Sequence, residues 1–136
     1  MASGKGNTFI TDLLAYTFNA TAFSWNATTL HDLHLHTANP GASGNTSTSE
    51  ATYTNYALVT VARTSGGWTV SGQTATNAAL IQFPQCGVTG NTITYVTIGV
   101  HSTTEILYFG ALNSSLAVAN LIQPQFAASA LTVTEA

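Results

Sequence analysis

From about residue 20 onward the chain is a succession of short runs rich in β-branched and aromatic residues, each bounded by Gly, Asn, Ser or Pro. Runs of this kind are typical of β-strands, and many of them in succession indicate a sandwich or a barrel. The pattern predicts strands over residues 21–25, 31–37, 56–63, 67–71, 78–83, 92–101, 105–112 and 129–134. We therefore expect an all-β fold, a compact β-sandwich or barrel of about eight short strands, with a jelly roll among its topologies.

One segment lacks the strand pattern, in which side chains alternate with a period of two. Over residues 7–18 the apolar side chains recur at spacings near three and four, which favours a short helix. Asn7 or Thr8 can cap its N-terminus, and Asn19 can end it. Asp12 falls in about the first turn, where the helix dipole favours a carboxylate. A helix this short is not stable alone, so it must pack on its own domain or on a neighbour.

No break in composition and no internal repeat divides the 136 residues. We expect a single β-domain over residues 1–136, made of an N-terminal helical segment (1–19) and a β-sandwich (20–136). The longest polar stretch, residues 38–50, is expected to be a mobile or partner-contacting loop.

Charged side chains are scarce: the chain has two Lys or Arg residues, five Asp or Glu residues and a formal net charge of −3. Neutralising several phosphates takes several basic residues, which argues against nucleic acid and an anionic membrane surface as partners. A surface with so few charges is sticky and leaves strand edges without protective Lys residues. We therefore expect an obligate oligomer or a protein fixed in a larger shell.

Other features of the sequence argue against export and cross-linking. The single cysteine, Cys86, cannot form an intrachain disulfide and is expected to be a small buried hydrophobe. No stretch approaches the roughly 18 apolar residues of a membrane span. The first 18 residues make a poor signal peptide, because Asp12 interrupts their apolar segment.

The cluster with most chemical potential is the run HDLHLH over residues 31–36. On a strand, His34 and His36 share a face about 6.5–7 Å apart and could bind one metal with a third ligand from another strand. A cupin-like site would also need a carboxylate a few residues later, whereas the next one is Glu50, beyond the polar loop. The favoured interpretation places both histidines on the polar face of an amphipathic strand or in an interface, with no metal and no cofactor.

Catalytic motifs are absent from the sequence. His101 beside Ser102 could belong to a Ser-His-Asp set by residue type, but there is no G-x-S-x-G elbow and no phosphate-binding Gly loop. Five acids are a thin supply for a glycosidase, which needs two facing carboxylates. We predict no catalytic residue, with a small metal-dependent enzyme that uses His34 and His36 as a remote alternative.

Aromatic residues leave a second binding hypothesis open. Together with the many Asn and Thr residues, an aromatic face would suit neutral carbohydrate, although aromatic side chains in a small β-domain are more often core. The residues concerned are Trp25, Tyr53, Tyr56, Trp68, Tyr95 and Tyr108.

After the helix, short motifs follow one another in order along almost the whole chain. They are LHLHTANPG (33–41), YALV (56–59), IQFP (81–84), ITYVTIG (93–99), LYFGAL (107–112) and PQF (124–126). Their order resembles a family of short bacteriophage virion proteins described as head-decoration or tail-fibre proteins. Leu58 departs from the family pattern, which often has Arg there, so an Arg-mediated contact is not carried over.

The resemblance implies a virion protein made in the host bacterial cytoplasm, without a signal or disulfides. It implies a symmetric trimer on the outer capsid surface, whose partners are the major capsid protein and its own copies. A chain without a heptad shaft or β-helical repeats suits a shell better than a whole fibre. We expect a non-enzymatic capsid decoration (cement) protein, the alternative being a tail or tail-fibre component in host attachment or glycan binding.

The inter-subunit contacts are expected to come from residues 1–19 and 38–50. Apolar burial and backbone pairing would drive them, so attachment should be insensitive to salt. The candidate interface residues are Phe9, Leu13, Tyr16, Asn39, Pro40 and Asn45.

Overall fold

A computed structural model of the protein describes residues 3–136, which form one helix and ten strands. In chain order these are β1 (Ser3–Lys5), α1 (Asn7–Asn19), β2 (Leu30–His36), β3 (Val59–Ala62), β4 (Trp68–Ser71), β5 (Thr74–Asn77), β6 (Ile81–Gln82), β7 (Asn91–Val100), β8 (Ile106–Val118), β9 (Gln125–Phe126) and β10 (Thr132–Thr134). The prediction of an all-β fold with one short N-terminal helix is confirmed.

The strands pair into three antiparallel sheets. The large sheet has the order β1-β8-β7-β2-β3, the second has the order β10-β5-β4, and the third is the pair β6-β9. None of these sheets closes on itself, so the fold is an open arrangement of sheets rather than a barrel. Long strands β7 and β8 form the hairpin on which the large sheet is built.

The main core joins all three sheets. Leu33 of the large sheet, Trp68 of the second sheet and Ile81 of the third belong to one buried cluster. A smaller cluster lies beneath α1, where Phe9 packs on Val100 and Leu107. Both faces of β2 are covered as a result, and its residues from 32 to 36 are all buried.

The strand predictions fail where a segment is irregular, short or polar. Residues 21–25 do not form a strand; they run into a turn over residues 24–27, and their aromatic side chains pack on Phe9 instead. The predicted strand over 78–83 shrinks to the two residues of β6. Three short strands had no signal in the sequence: β1, β5 and β9, because none has an apolar run.

The ends of α1 show how its position is fixed. Gly6 is the N-cap and makes no side-chain bond, so the expected cap from Asn7 or Thr8 is wrong. A Cβ at Gly6 would lie 2.1 Å from a carbonyl oxygen of Ile106, so the close approach of α1 to β8 requires glycine. The helix has no acidic residue in its first turn, which corrects the placement of Asp12, and it ends at Asn19 as expected.

Across residues 3–136, the one helix falls short of the length and apolar character that a membrane crossing needs.

Candidate functional site

Helix α1 is fastened to the body mainly through its first turn. Phe9 is the one buried residue of the helix, and its ring lies 5.4–6.1 Å from those of Phe23, Trp25 and Tyr108. The backbone around it is bonded as well, since the N–H of Asn7 donates to the carbonyl of Ala42 at 2.8 Å. Beyond this turn, α1 projects along the surface of the domain.

The remainder of α1 carries an exposed apolar stripe. Ile10, Leu14 and Phe18 are spaced four residues apart, so they lie on one face of the helix. They are 39%, 54% and 78% exposed, respectively. Scattered apolar residues are ordinary on a protein surface, whereas a contiguous set marks a contact site. We call these three residues the α1 stripe.

The predicted interface residues fall around the stripe rather than on it. Phe9 is buried in its own chain and Leu13 is half-buried. Tyr16 is 55% exposed, but its ring stacks on Phe23 of the same chain at 5.2 Å. The predicted contact segment, residues 1–19, contains the α1 stripe, but the candidate residues chosen within it did not include Ile10, Leu14 or Phe18, which recur in the sequence at i, i+4 and i+8.

The second predicted contact region, residues 38–50, is bonded into the domain. Asn39 and Asn45 are exposed, and each side chain accepts a bond from a backbone N–H two residues later. Pro40 is buried, and the buried Thr46 donates its N–H to the carbonyl of Thr104. Because this loop also accepts the bond from the start of α1, the two predicted contact regions are neighbours in the fold.

An apolar cleft lies between the large sheet and the second sheet. It encloses about 590 Å³. One wall contains Trp68 and Val70 of β4, and the other contains Leu107 and Tyr108 of β8. Val70 is 73% exposed although it is a large apolar residue. We call this space the inter-sheet cleft.

The charges around the inter-sheet cleft are already engaged. Glu135 accepts a bond from Lys5 Nζ at 2.6 Å and another from the Tyr108 hydroxyl at 2.5 Å. Burial alone would raise the pKa of Glu135, but these two bonds outweigh it and lower that pKa. Arg63 donates to the carbonyl of Asn26 at 2.7 Å. The cleft therefore presents apolar walls without a free carboxylate.

His31 adds no charge to the cleft at neutral pH. Its ring packs edge-on against Trp68, with 5.8 Å between the ring centroids. Burial, assisted by Arg63 and opposed by Asp32, lowers the pKa of His31 to about 4. The imidazole is therefore uncharged at neutral pH.

A family model described as podophage GP4 fiber I protein gp80 matches residues 5–134. The chain belongs to this fiber I family. No curated protein matches it. Membership confirms the resemblance to small phage virion proteins and supports a structural role in a phage particle.

The histidine pair of this fiber I family member is buried, which corrects its placement on a polar strand face. His34 is 4% exposed and His36 is fully buried, because loop 38–50 covers that face of β2. His34 Nδ1 lies 2.5 Å from a carboxylate oxygen of Glu50, the residue that the sequence placed too far away. The loop brings that carboxylate back to the histidine across 16 residues.

The bonds of His36 hold loop 38–50 against β2. Both ring nitrogens of His36 are bonded, Nδ1 to the carbonyl of Thr48 at 2.8 Å and Nε2 to the hydroxyl of Thr97 at 2.9 Å. Burial lowers the pKa of His36, so its neutral form is preferred. Within residues 3–136 no three His, Cys, Asp or Glu side chains come together as a metal site.

A second carboxylate–histidine pair caps the β7–β8 turn. Asp32 is buried and lies 2.7 Å from His101 Nδ1, while its other oxygen accepts the backbone N–H of Ser102. A Ser-His-Asp relay would need the Ser102 hydroxyl on the far nitrogen of His101. The structure instead uses the backbone of Ser102, which has a left-handed φ of 61°. This pair is a turn-stabilising contact.

The six aromatic residues considered for glycan stacking do not share one exposed face. Tyr53, Tyr56 and Trp68 pack in the main core, Trp25 and Tyr108 pack in the cluster beneath α1, and Tyr95 is half-buried on β7. Cys86 also lies in the main core, with its thiol near the carbonyls of residues 87 and 89. Most of these six aromatic side chains therefore pack inside the domain.

Proposed function

We propose that this chain is a non-enzymatic structural subunit of a podophage virion fibre, joined to other subunits by apolar contacts. The observation that carries the proposal is the α1 stripe, a row of three large apolar side chains that the chain itself leaves exposed. Membership of the fiber I family supports a fibre as the larger structure to which the stripe belongs. No catalytic arrangement contributes to this role.

The distribution of charge supports apolar joining. Five of the charged side chains make contacts inside the chain, and few are left to attract a partner. These side chains make four contacts: Lys5 with Glu135, Asp32 with His101, Glu50 with His34, and Arg63 with the Asn26 carbonyl.

Electron microscopy of purified virions tests the location. Particles labelled with an antibody against this chain should carry the label on their fibres, and particles that lack the chain should lose density there. Label spread over the head would move the protein to the capsid. Absence of the protein from particles would refute a virion role altogether.

A head-decoration subunit is the second candidate. The described residues form a globular body with a single 13-residue helix and no extended shaft, which also suits a protein that sits on a shell. In this role the chain would be a homotrimer bound to the major capsid protein. Heads that lack the chain would then burst at a lower temperature, whereas loss of a fibre subunit would leave heads intact and impair adsorption.

A further inference from the structure

We infer that the α1 stripe of one copy docks into the inter-sheet cleft of a second copy. The inference deepens the proposed function and rests on it for its role in the virion, because a subunit that both inserts and receives a helix can build a larger assembly. Two unpartnered apolar features of the same chain, one convex and one concave, carry it.

The two features match in length. From Ile10 to Phe18 the α1 stripe rises about 12 Å, at about 1.5 Å per residue. Strand β4, in one wall of the inter-sheet cleft, has four residues and spans about 10 Å, at about 3.3 Å per step. The cleft volume of about 590 Å³ is in the range of pockets that enclose a group of this size.

They also match in charge. The stripe residues are uncharged, and α1 has no basic residue in its last turn. On the side of the cleft, Glu135 is bonded to Lys5, and His31 is neutral at neutral pH. A basic segment would enter these apolar walls without a free carboxylate to pair with, which is costly, whereas the α1 stripe adds no charge.

Coverage of both apolar features favours helix-in-cleft contact over pairing of two stripes. Two stripes packed on each other would cover the α1 stripe but would leave the inter-sheet cleft of both copies open. With helix in cleft, each copy makes two contacts, and such a head-to-tail contact closes into a ring or extends into a filament.

Site-specific cross-linking tests the contact directly. In a Cys86→Ala background, one batch carries Leu14→Cys and another carries Val70→Cys, and a short bis-maleimide reagent is added to their mixture. We expect a cross-linked dimer that contains one chain of each kind. The control pairs Leu14→Cys with Val88→Cys, which is 87% exposed and is not part of the cleft. Cross-links between two Leu14→Cys chains in preference, equal yield with the control, or no cross-link at all would overturn the inference.

A complementation experiment gives a second, independent readout. Phe18→Asp should disable insertion, and Val70→Asp should disable reception; both positions are exposed, so the fold should be retained. In sedimentation, each variant alone should remain monomeric, and an equimolar mixture should form a dimer that does not grow. A monomeric mixture would refute head-to-tail contact. Both experiments use purified chain, so their result is separate from the location of the protein on the virion.

Discussion

Asn77 shows how a single buried amide can join two distant segments. Its side-chain nitrogen donates to the carbonyls of Ala79 and Ala127, and its side-chain oxygen accepts the N–H of Leu131. The residue is fully buried, so water cannot replace these bonds. It holds the C-terminal segment against the second sheet.

We expect Asn77→Ala to lower the free energy of unfolding by about 2–4 kcal/mol, because three buried polar groups lose their partner. Asn77→Asp should be at least as harmful, since it keeps the acceptor but turns a carboxylate toward two carbonyls. Urea unfolding monitored by Trp fluorescence measures both. The exposed Asn113→Ala is the control, with an expected change within about 0.5 kcal/mol. An equal loss in the control would contradict the assignment.

His31 gives the fold a sensitivity to acid. Unfolded His31 has a pKa of about 6.5 and folded His31 about 4, so the unfolded chain binds more protons between these pH values. The free energy of unfolding is therefore highest above pH 6.5 and falls as the pH drops toward 4. Burial lowers the pKa of His36 too, which acts in the same direction.

We expect His31→Phe to reduce this acid sensitivity while keeping the ring that packs on Trp68. The difference from the parent chain should reach up to about 1.4 kcal/mol per pH unit within the window. Urea midpoints measured from pH 7 to pH 4 provide the comparison. An unchanged slope would mean that burial of the ring and the charge of Arg63 do not hold the imidazole neutral against the opposing effect of Asp32.

At the scale of single residues, the sequence predicted which side chains lie together on a strand but not which groups they contact. It identified His34 and His36 as a pair on one strand, yet not that a second layer covers them. The contact with Glu50 depends on the path of loop 38–50, which spacing along a strand cannot reveal. Burial of Cys86, by contrast, followed from its residue type alone.

Among the elements, α1 lies on the surface and buries a single side chain. Its attachment rests on Phe9, on the backbone bonds at its start and on the stacking of Tyr16 on Phe23, while the α1 stripe, from Ile10 to Phe18, is exposed. Local stability of such an element is lower than that of the β7–β8 hairpin, which pairs from Asn91 with Val118 to Gly99 with Ile106, with two register shifts between.

We expect Phe9→Ala to detach α1, with a loss of roughly 3 kcal/mol of its packing energy, because a large aromatic side chain is removed from a buried cluster. Amide hydrogen exchange over residues 7–19 should then approach the rate of an unfolded chain. Phe18→Ser removes a comparable ring from an exposed position and should leave exchange in the monomer unchanged. Equal effects of the two substitutions would contradict Phe9 as the main anchor of α1.

The element predictions succeed where local pattern and tertiary environment agree. Strands β2, β7 and β8 have long β-branched or apolar runs, and α1 has a clear period near 3.6. The alternation in residues 21–25 instead serves the cluster beneath α1. Strand β5, with the sequence TATN, is held by its neighbours β4 and β10 rather than by its own apolar residues.

For the whole molecule, scarcity of charge was the most informative prediction from sequence. It indicated a surface covered by other protein, and it requires no prediction of helices or strands. The order of strands in the large sheet could not be foreseen, because it follows from long-range pairing such as that of β1 with β8. The inter-sheet cleft arises from this topology, so no local motif marks it.

Self-association should therefore depend little on salt. We expect the same association constant in dilute buffer and in about 1 M NaCl, where the Debye length is about 3 Å and exposed charges are screened. Sedimentation at the two salt concentrations measures it. A steep loss of association at high salt would show that charge, rather than the α1 stripe, joins the subunits.

The ion pair between Lys5 and Glu135 has a mechanical consequence. It joins β1, near one end of the described chain, to the segment just after β10, near the other, so the backbone enters and leaves the fold at the same place. Tension applied along the backbone would pull at this one corner and peel strands β1 and β10 away, while the rest of the domain bore little load. A fibre that must transmit force through such subunits would have to route it across their faces, from copy to copy, rather than along the polypeptide.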